Sequence, residues 1–187
     1  CTCVKRPSVH IKSPYVADVS INSQDKLGHC PSLGLGGLMQ PGSLMLATKS
    51  QTNSKTDVVI QAVKDGDTWV GNVPLHANRI VKRLLEDGLI IDDVSLVKPE
   101  YKHNNSRLDF FVTLADGSNV YCEVKSVHIK VGDSAVFPVG YKKKKDATVS
   151  ERANKHLIEL SELATTGHKA LVIFVVQRDD CNSFLPN

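Results

Sequence analysis

The stretch of sequence that decides the fold consists of two adjoining β-type segments, Arg107–Leu114 (RLDFFVTL) and Asn119–Ile129 (NVYCEVKSVHI), separated by Ala-Asp-Gly-Ser. Both segments are rich in β-branched and aromatic residues, and the residues between them are typical of a tight turn. The pattern therefore predicts an antiparallel hairpin. Charged residues interrupt the apolar ones, with Asp109 on the first strand and Glu123 and Lys125 on the second.

The relative position of the two carboxylates depends on the register of this hairpin. Successive side chains of a strand point to opposite faces, so one residue of slippage moves a side chain to the other face. A three-residue loop at 115–117 sets Asp109 directly opposite Glu123, whereas a two-residue turn at 116–117 sets Asp109 opposite Val124. The sequence leaves both registers open.

In the first register the hairpin predicts a metal site for phosphodiester hydrolysis. Directly opposed residues have Cβ atoms about 5 Å apart, and like charges at that distance are destabilising unless a cation neutralises them. Mg²⁺ or Mn²⁺ prefers carboxylate and water oxygens. We expect Asp109, Glu123 and the backbone carbonyl of Val124 to be the metal ligands. Lys125, on the same face as Glu123, would orient or deprotonate a water or stabilise charge on the phosphate, so the predicted catalytic residues are Asp109, Glu123 and Lys125.

The same residues have a simpler interpretation. An Asp followed some 14 residues later by Glu-x-Lys arises often by chance. Cross-strand salt bridges on a solvated face are common and contribute little to stability. The alternative to a metal site is therefore an ordinary arrangement of ion pairs on the sheet.

The residues before Pro74 predict a small all-β unit. Short β-type runs at 15–21, 43–48, 58–63 and 68–70 are separated by loops rich in Gly, Pro and polar residues. These runs suit a small barrel, although they do not distinguish a barrel from a sandwich.

From Pro74 onward the pattern predicts the order α-β-β-β-α-β. Apolar residues recur at helical spacing over 75–87 and again over 151–166. A strand-like stretch near 94–97 precedes the hairpin, and the apolar run at 169–177 is typical of a strand buried on both faces. The predicted fold class is thus α+β, with a domain boundary near residues 72–74.

Composition limits the class of protein more than it identifies a partner. The chain has 187 residues with 41% hydrophobic and 23% charged, which is typical of a soluble globular protein with one activity. The longest apolar run is far below the ~18 residues of a membrane-spanning helix, so no membrane partner is expected. The net charge of +3 is too small to indicate a polyanionic partner.

The cysteines and the first residue bear on localisation. Five cysteines, scattered and odd in number, indicate a cytoplasmic or other reducing compartment. The chain begins with Cys1 rather than Met, so we expect its start to have been processed or trimmed. An organellar location follows if the missing N-terminus held a transit peptide.

Basic residues near the predicted site are candidates for contact with nucleic acid, because cationic side chains neutralise phosphates. A solvated loop is the alternative for the lysine run, and ordinary helix N-terminal chemistry is the alternative for the charged residues in the first turns of the second helix. The candidates are Arg107, Lys142, Lys143, Lys144, Lys145, Arg152, Lys155 and His156.

Two further side chains have a structural and a functional interpretation. Cys122 alternates with Glu123 and is therefore expected to face the core. Trp69 would either stack on a base or lie in the core.

The chain resembles the sugar fermentation stimulation protein A family. The motifs that carry the resemblance extend from about Tyr15 to Pro186. They are Ala17-Asp18-Val19, His29-Cys30-Pro31-Ser32-Leu33-Gly34, Leu38-Met39-Gln40-Pro41-Gly42, Trp69-Val70-Gly71, Ser106-Arg107-Leu108-Asp109-Phe110, Glu123-Val124-Lys125-Ser126-Val127, Ser150-Glu151-Arg152 with Lys155-His156-Leu157, and Phe174-Val175-Val176-Gln177-Arg178.

The resemblance implies an OB-like β-barrel domain at 1–72 and a domain like the PD-(D/E)xK nucleases at 73–187. It also implies a DNA-binding or nuclease role in which Asp109 and Glu123 hold Mg²⁺ or Mn²⁺ and Lys125 assists catalysis. A non-catalytic nucleic-acid-binding regulator with a degenerate nuclease site is the alternative.

Two departures from the family pattern affect the expected site. The family usually carries Glu on the first helix where this chain has Arg83, so an acidic ligand is missing there unless Glu86 substitutes. An insertion at 139–145 separates Phe137-Pro138 from Asp146 and would lengthen a DNA-contacting loop.

Overall fold

The residues before Pro74 form a sheet of short strands. The structure is a computed structural model that describes residues 1–103, 106–137 and 151–186, apart from the side chains of residues 151 and 152. In this part of the chain the first sheet has six strands. They are β1 (Thr2–Lys5), β2 (Val16–Ile21), β3 (Gln24–His29), β4 (Met45–Lys49), β5 (Val58–Asp65) and β6 (Thr68–Gly71).

The strand order of this sheet is β1-β2-β3-β5-β4, with β6 paired to β5. The β3–β5 pair is parallel and the others are antiparallel. An isolated antiparallel bridge joins Thr2 to Leu44, and the Cys3 N–H donates to the Ser43 carbonyl at 2.9 Å. Among the described residues the strands form no closed barrel, so the OB-like barrel stays a prediction.

The core of this sheet is apolar and contains sulfur-bearing side chains. Val19, Ile60, Val63 and Val70 are fully buried in it, and Cys30 joins them. All five cysteines of the chain are free thiols.

Helix α1 (Pro74–Glu86) is amphipathic, as its sequence predicts. Pro74 occupies the first helical position, where its missing N–H costs nothing. Ala77, Val81 and Leu85 form the buried stripe. Gly88, with φ of 69°, follows the helix in the left-handed conformation that commonly ends one.

A second sheet carries the predicted hairpin. It contains β7 (Val94–His103), β8 (Ser106–Leu114), β9 (Asn119–Val127) and β12 (Lys169–Val176), in the order β12-β9-β8-β7. Three further strands form a separate small sheet, namely β10 (Ile129–Val131), β11 (Ser134–Phe137) and β13 (Ser183–Pro186).

The hairpin adopts the register with the three-residue loop. Phe110 pairs with Cys122 and Thr113 with Asn119, and the Leu114 N–H donates to the Ser118 carbonyl at 2.8 Å. The three-residue loop is therefore the observed one, and the backbone pairing of the two strands ends at Phe110 with Cys122.

Two cores cover the two faces of the second sheet. On one face, α1 packs on Phe110, Val112 and Cys122. On the other, helix α2 (Glu151–Thr165) places Leu160 and Leu163 against Leu108 and Tyr121.

Two predictions about these strands were inexact. The segment 119–129 is not one strand, since β9 ends at Val127 and β10 begins at Ile129. Strand β12 is half-buried instead of buried on both faces, because it lies at the edge of the described sheet. Its alternate residues still contact the two cores, with Ile173 on the α1 side and Val172 on the α2 side.

The chain divides into two units whose boundary is not a single point. Among the described residues, one unit takes 1–74, 127–137 and 176–186, and the other takes 75–103, 106–126 and 151–175. The sequence prediction had assigned every residue after 72 to the second domain. Within the described residues, no helix combines the length and the apolar character that crossing a membrane requires.

Candidate functional site

Asp109 lies where β8 and β9 stop pairing through their backbones. The last residue pair of the ladder is Phe110 with Cys122, and beyond it the Val124 N–H donates to Asp109 Oδ2 at 2.7 Å. The carboxylate thus replaces the backbone carbonyl that would accept this hydrogen bond in a continued ladder.

A side chain from α1 holds the other oxygen of the same carboxylate. Asn78 Nδ2 donates to Asp109 Oδ1 at 2.7 Å. Asn78 was not predicted from the sequence, because a half-buried amide beside an apolar helical stripe has no motif of its own. The only signal for it was its place next to Ala77, on the margin of the buried face.

Glu123 is the most deeply buried charge of the site, with 3% of its surface exposed. Its Oε1 accepts a hydrogen bond from Lys125 Nζ and lies 2.5 Å from His156 Nδ1. Lys125 comes from the same strand and His156 from α2, one turn after the helix begins. Glu123 Oε2 is buried and has no hydrogen-bond partner in the described structure.

The charge of Glu123 affects the ionisation of Asp109. Burial raises the pKa of Asp109 above its ordinary value, and the nearby charge of Glu123 raises this pKa further. The hydrogen bonds from Val124 and Asn78 and the charge of Lys125 act in the opposite direction. The net effect shows that negative charge at this position is under-compensated.

The donor set fits a hard divalent cation. Glu123 Oε2 is a buried oxygen without a hydrogen-bond partner in the described part of the chain, and a positive charge would relieve the repulsion between the two carboxylates. Among the residues that the structure describes, no three His, Cys, Asp or Glu side chains are grouped as metal ligands. Two carboxylates would leave the remaining positions to water and to a backbone carbonyl such as that of Val124.

The residues predicted to contact nucleic acid differ in their exposure and in their partners. Arg107 and Lys155 are mostly exposed and pair loosely, with Glu100 at 3.4 Å and with Glu159 at 3.7 Å. His156 is buried against Glu123, so it belongs to the acidic site and not to an exposed basic surface. The predictions for Lys142, Lys143, Lys144, Lys145 and the Arg152 side chain lie outside the described residues.

The two positions on α1 considered from the family pattern do not meet Asp109. The Arg83 side chain is 75% exposed and pairs with Asp87 at 2.8 Å. Glu86 pairs with Lys82 at 3.2 Å on the exposed side of the helix. Asn78 is the α1 side chain that contacts the carboxylate.

Cys122 and Trp69 are the two side chains for which the sequence offered both a structural and a functional interpretation. Cys122 is fully buried in the α1 core, as predicted, and burial raises the pKa of its thiol to about 12. Such a thiol is neutral at physiological pH and is not a nucleophile. Trp69 is half-buried rather than a core residue, and Lys64 Nζ lies 5.2 Å from its ring centroid.

Comparison with known proteins identifies the relatives of the chain. The family model described as "Sugar fermentation stimulation protein RE domain" matches residues 75–187. The sugar fermentation stimulation protein homolog of Ruminiclostridium cellulolyticum is 31% identical over an alignment of 188 positions that covers 98% of this chain and 79% of that protein. The homolog of Geotalea daltonii is 33% identical over an alignment of 178 positions that covers 92% of this chain and 73% of that protein.

A solved structure shows the same fold. Pyrococcus furiosus SfsA in complex with Ca²⁺ matches with a TM-score of 0.82 at 22% sequence identity, covering 100% of this chain and 75% of that one. The chain therefore has the same mixed α+β fold, with sheets and two helices, as this solved structure.

Proposed function

From the premise that the chain belongs to the sugar fermentation stimulation protein family, we propose that it binds DNA and hydrolyses phosphodiesters with a divalent metal at Asp109 and Glu123. The observation that carries this proposal is a pair of carboxylates on neighbouring strands, close enough that the charge of Glu123 raises the pKa of Asp109, together with a buried Glu123 oxygen that has no hydrogen-bond partner among the described residues. Buried polar atoms are nearly always satisfied, and a bound ion is one explanation for an exception.

The metal would be held by Asp109, Glu123 and the carbonyl of Val124. A bound Mg²⁺ or Mn²⁺ supplies Lewis acidity and a more acidic bound water. The Pyrococcus furiosus protein is in complex with Ca²⁺, and Ca²⁺ and Mg²⁺ share a preference for oxygen ligands.

Lys125 and His156 have distinct roles in this proposal. Both contact Glu123 Oε1, so they fix the carboxylate, and within the described residues its Oε2 has no partner. Lys125, which is 13% exposed, is the cation that stabilises charge on a phosphate brought to the site. His156 is a positioning residue, because its described contact is with Glu123.

The DNA contact is assigned to basic side chains around the acidic site. Arg107 on β8 and Lys155 on α2 are exposed, and their present partners hold them loosely. Lys142–Lys145 and Arg152 complete the proposed surface by their place in the sequence.

The proposed domains are an OB-like barrel at 1–72 and a nuclease-like domain at 73–187. The family match begins at residue 75, close to that boundary. The strand order β1-β2-β3-β5-β4 and the Thr2–Leu44 bridge, which brings the two ends of the sheet together, support the barrel.

One observation favours a second candidate, a DNA-binding regulator without catalysis. Asp109 and Glu123 are already hydrogen-bonded on three of their four oxygens, and α1 contributes an amide instead of an acid. A site with fewer acidic ligands binds a divalent cation more weakly.

Incubation with DNA and metal separates the two candidates. The purified chain should cleave single- or double-stranded DNA in Mn²⁺ or Mg²⁺, while Asp109→Ala and Glu123→Ala should lower the rate by at least about 100-fold. Both variants should still bind DNA, and the affinity should fall as salt rises.

The matched control is Asp87→Ala, an exposed carboxylate paired with Arg83 on α1, which should leave cleavage unchanged. Salt-sensitive binding without cleavage in any metal would establish the second candidate. Cleavage that persists in both site variants would contradict the proposed site.

A further inference from the structure

We propose that Asn78 is the positioning residue through which α1 takes part in the acidic site, and that position 78, not 83 or 86, is where this helix can supply a third metal ligand. The inference rests on the proposed metal site at Asp109 and Glu123. It gives a role to Asn78, which the pattern of acidic residues in the sequence does not identify.

The contacts of Asp109 support the first part of the inference, that Asn78 is a positioning residue. Its two oxygens are held from two directions, by the Val124 N–H at 2.7 Å and by Asn78 Nδ2 at 2.7 Å. Two hydrogen bonds fix both the side-chain rotamer and the plane of the carboxylate. Each oxygen retains a second lone pair, so the carboxylate is oriented and can still bind a cation.

The periodicity of α1 supports the second part of the inference, that position 78 and not 83 or 86 can supply a third ligand. Asn78 adjoins the buried stripe that runs through Ala77 and Val81. Position 83 is five residues further, which is about 140° around the helix, and its side chain is 75% exposed. Glu86 is about 12 Å further along the axis than Asn78, beyond the reach of a side chain to the same carboxylate.

The amide and an acid at position 78 differ in a defined way. An Asn at this position donates to Asp109 and adds no charge, so it orients the ligand without raising the negative charge of the site. An Asp would have nearly the same shape and would place a third carboxylate beside the first two. Affinity for a divalent cation rises with the number of charged ligands.

The test is calorimetric titration of the full chain with Mn²⁺ alone, with the melting temperature of the metal-free protein measured in parallel. The variants are Asn78→Ala, Asn78→Asp, Arg83→Glu and Asp109→Ala. Arg83→Glu is the matched control, because it adds an acid to the same helix at an exposed position.

We expect Asn78→Ala to weaken Mn²⁺ binding about 10-fold, the usual cost of losing a partner that orients a metal ligand. Asn78→Asp should bind at least as tightly as the natural chain, while Arg83→Glu should leave the affinity unchanged. If Asn78→Ala unfolds, the comparison of Asn78→Asp with Arg83→Glu still decides the question, because Asp preserves the shape of the side chain.

Unchanged affinity in Asn78→Ala, or a gain in Arg83→Glu without one in Asn78→Asp, would overturn the inference while the proposed metal site stands. Absence of Mn²⁺ binding by the natural chain, or binding that Asp109→Ala leaves intact, would overturn the metal site and the inference with it.

Discussion

Glu123 illustrates how single residues distinguish a binding site from a structural ion pair. Burying a carboxylate costs several kcal/mol unless its partners compensate. Lys125 and His156 both contact one oxygen, Oε1, and the other oxygen is buried and has no partner among the residues that the structure describes. A purely structural pair would be more stable with both oxygens satisfied, so the asymmetry favours a ligand at Oε2.

A second buried residue, His128, predicts a dependence of stability on pH. Burial lowers the pKa of His128 to about 4, and its Nε2 has no hydrogen-bond partner in the described structure. The unfolded chain protonates this imidazole below about pH 6.5, whereas the folded chain keeps it neutral. The free energy of unfolding should therefore fall by about 2–3 kcal/mol between about pH 6.5 and pH 4 and level off below.

Urea unfolding at a series of pH values checks this. His128→Asn, which keeps a hydrogen-bonding group in place of Nδ1 and removes the titration, should flatten the profile in that interval. His10→Asn, at an exposed position, is the control and should retain the slope of the natural chain. An unchanged slope in His128→Asn would show that another group is responsible.

At the residue scale the sequence singled out the two carboxylates but not the residues that hold them, and metal binding by the carboxylates stays a prediction. Asp109 and Glu123 were recognisable because each is an acidic residue within a β-type run of the hairpin. Asn78 and His156 were not, because their roles depend on how each helix is rotated against the sheet. His156 was expected on a phosphate-binding surface, and the packing of α2 turns it inward to Glu123.

Among the elements, the loop of the β8–β9 hairpin determines whether the site exists. Gly117 has a φ of 82°, which a side chain with Cβ tolerates poorly. Replacing Gly117 by Ala should lower the free energy of unfolding by about 1 kcal/mol. Gly117→Asn should recover part of the loss, because Asn adopts this conformation more readily.

Chemical denaturation of the two variants measures these differences. Equal losses in Gly117→Ala and Gly117→Asn would mean that space, and not backbone conformation, limits the position. No atom outside the loop lies within 4 Å of an added Cβ, so a loss caused by crowding is not expected.

Helices and strands with a clear apolar periodicity could be predicted from the sequence, and strands without one could not. Both helices and the strands β2, β5, β8 and β9 carry clear apolar periodicity and were predicted. Strand β3 (QDKLGH) is mostly polar and half or fully exposed over most of its length, so it has no such signal. Strands β10, β11 and β13 have three or four residues each and exist through pairing with one another.

At the scale of the whole molecule, the N-terminal unit includes the end of the described chain. The Arg178 side chain is 1% exposed and donates to Asp65 at 2.8 Å, to Asp180 at 2.6 Å and to the His128 carbonyl at 3.2 Å. These contacts connect β5 with a residue 113 positions later. No periodic pattern in the sequence predicts such a pairing, which is why the boundary at 72–74 was placed as a single point.

Replacing Arg178 by Met should test the importance of this cluster. The change removes the donor of Asp65 and of the His128 carbonyl and leaves Asp180 paired with Lys130 alone, and because both carboxylates are partly exposed we expect a loss of about 2–3 kcal/mol in the free energy of unfolding. The control is Arg83→Ala, which breaks an exposed pair and should cost under about 1 kcal/mol. Similar small losses in both variants would show that the cluster does not stabilise the unit.

The most direct test of the central claim is a crystal structure of the full chain grown with Mn²⁺, with anomalous scattering recorded at the manganese edge. We expect a peak at bonding distance from both an Asp109 oxygen and Glu123 Oε2, with Asn78 still hydrogen-bonded to Asp109. A peak bound to neither carboxylate, or an anomalous map without signal between them at saturating Mn²⁺, would contradict the proposed metal site.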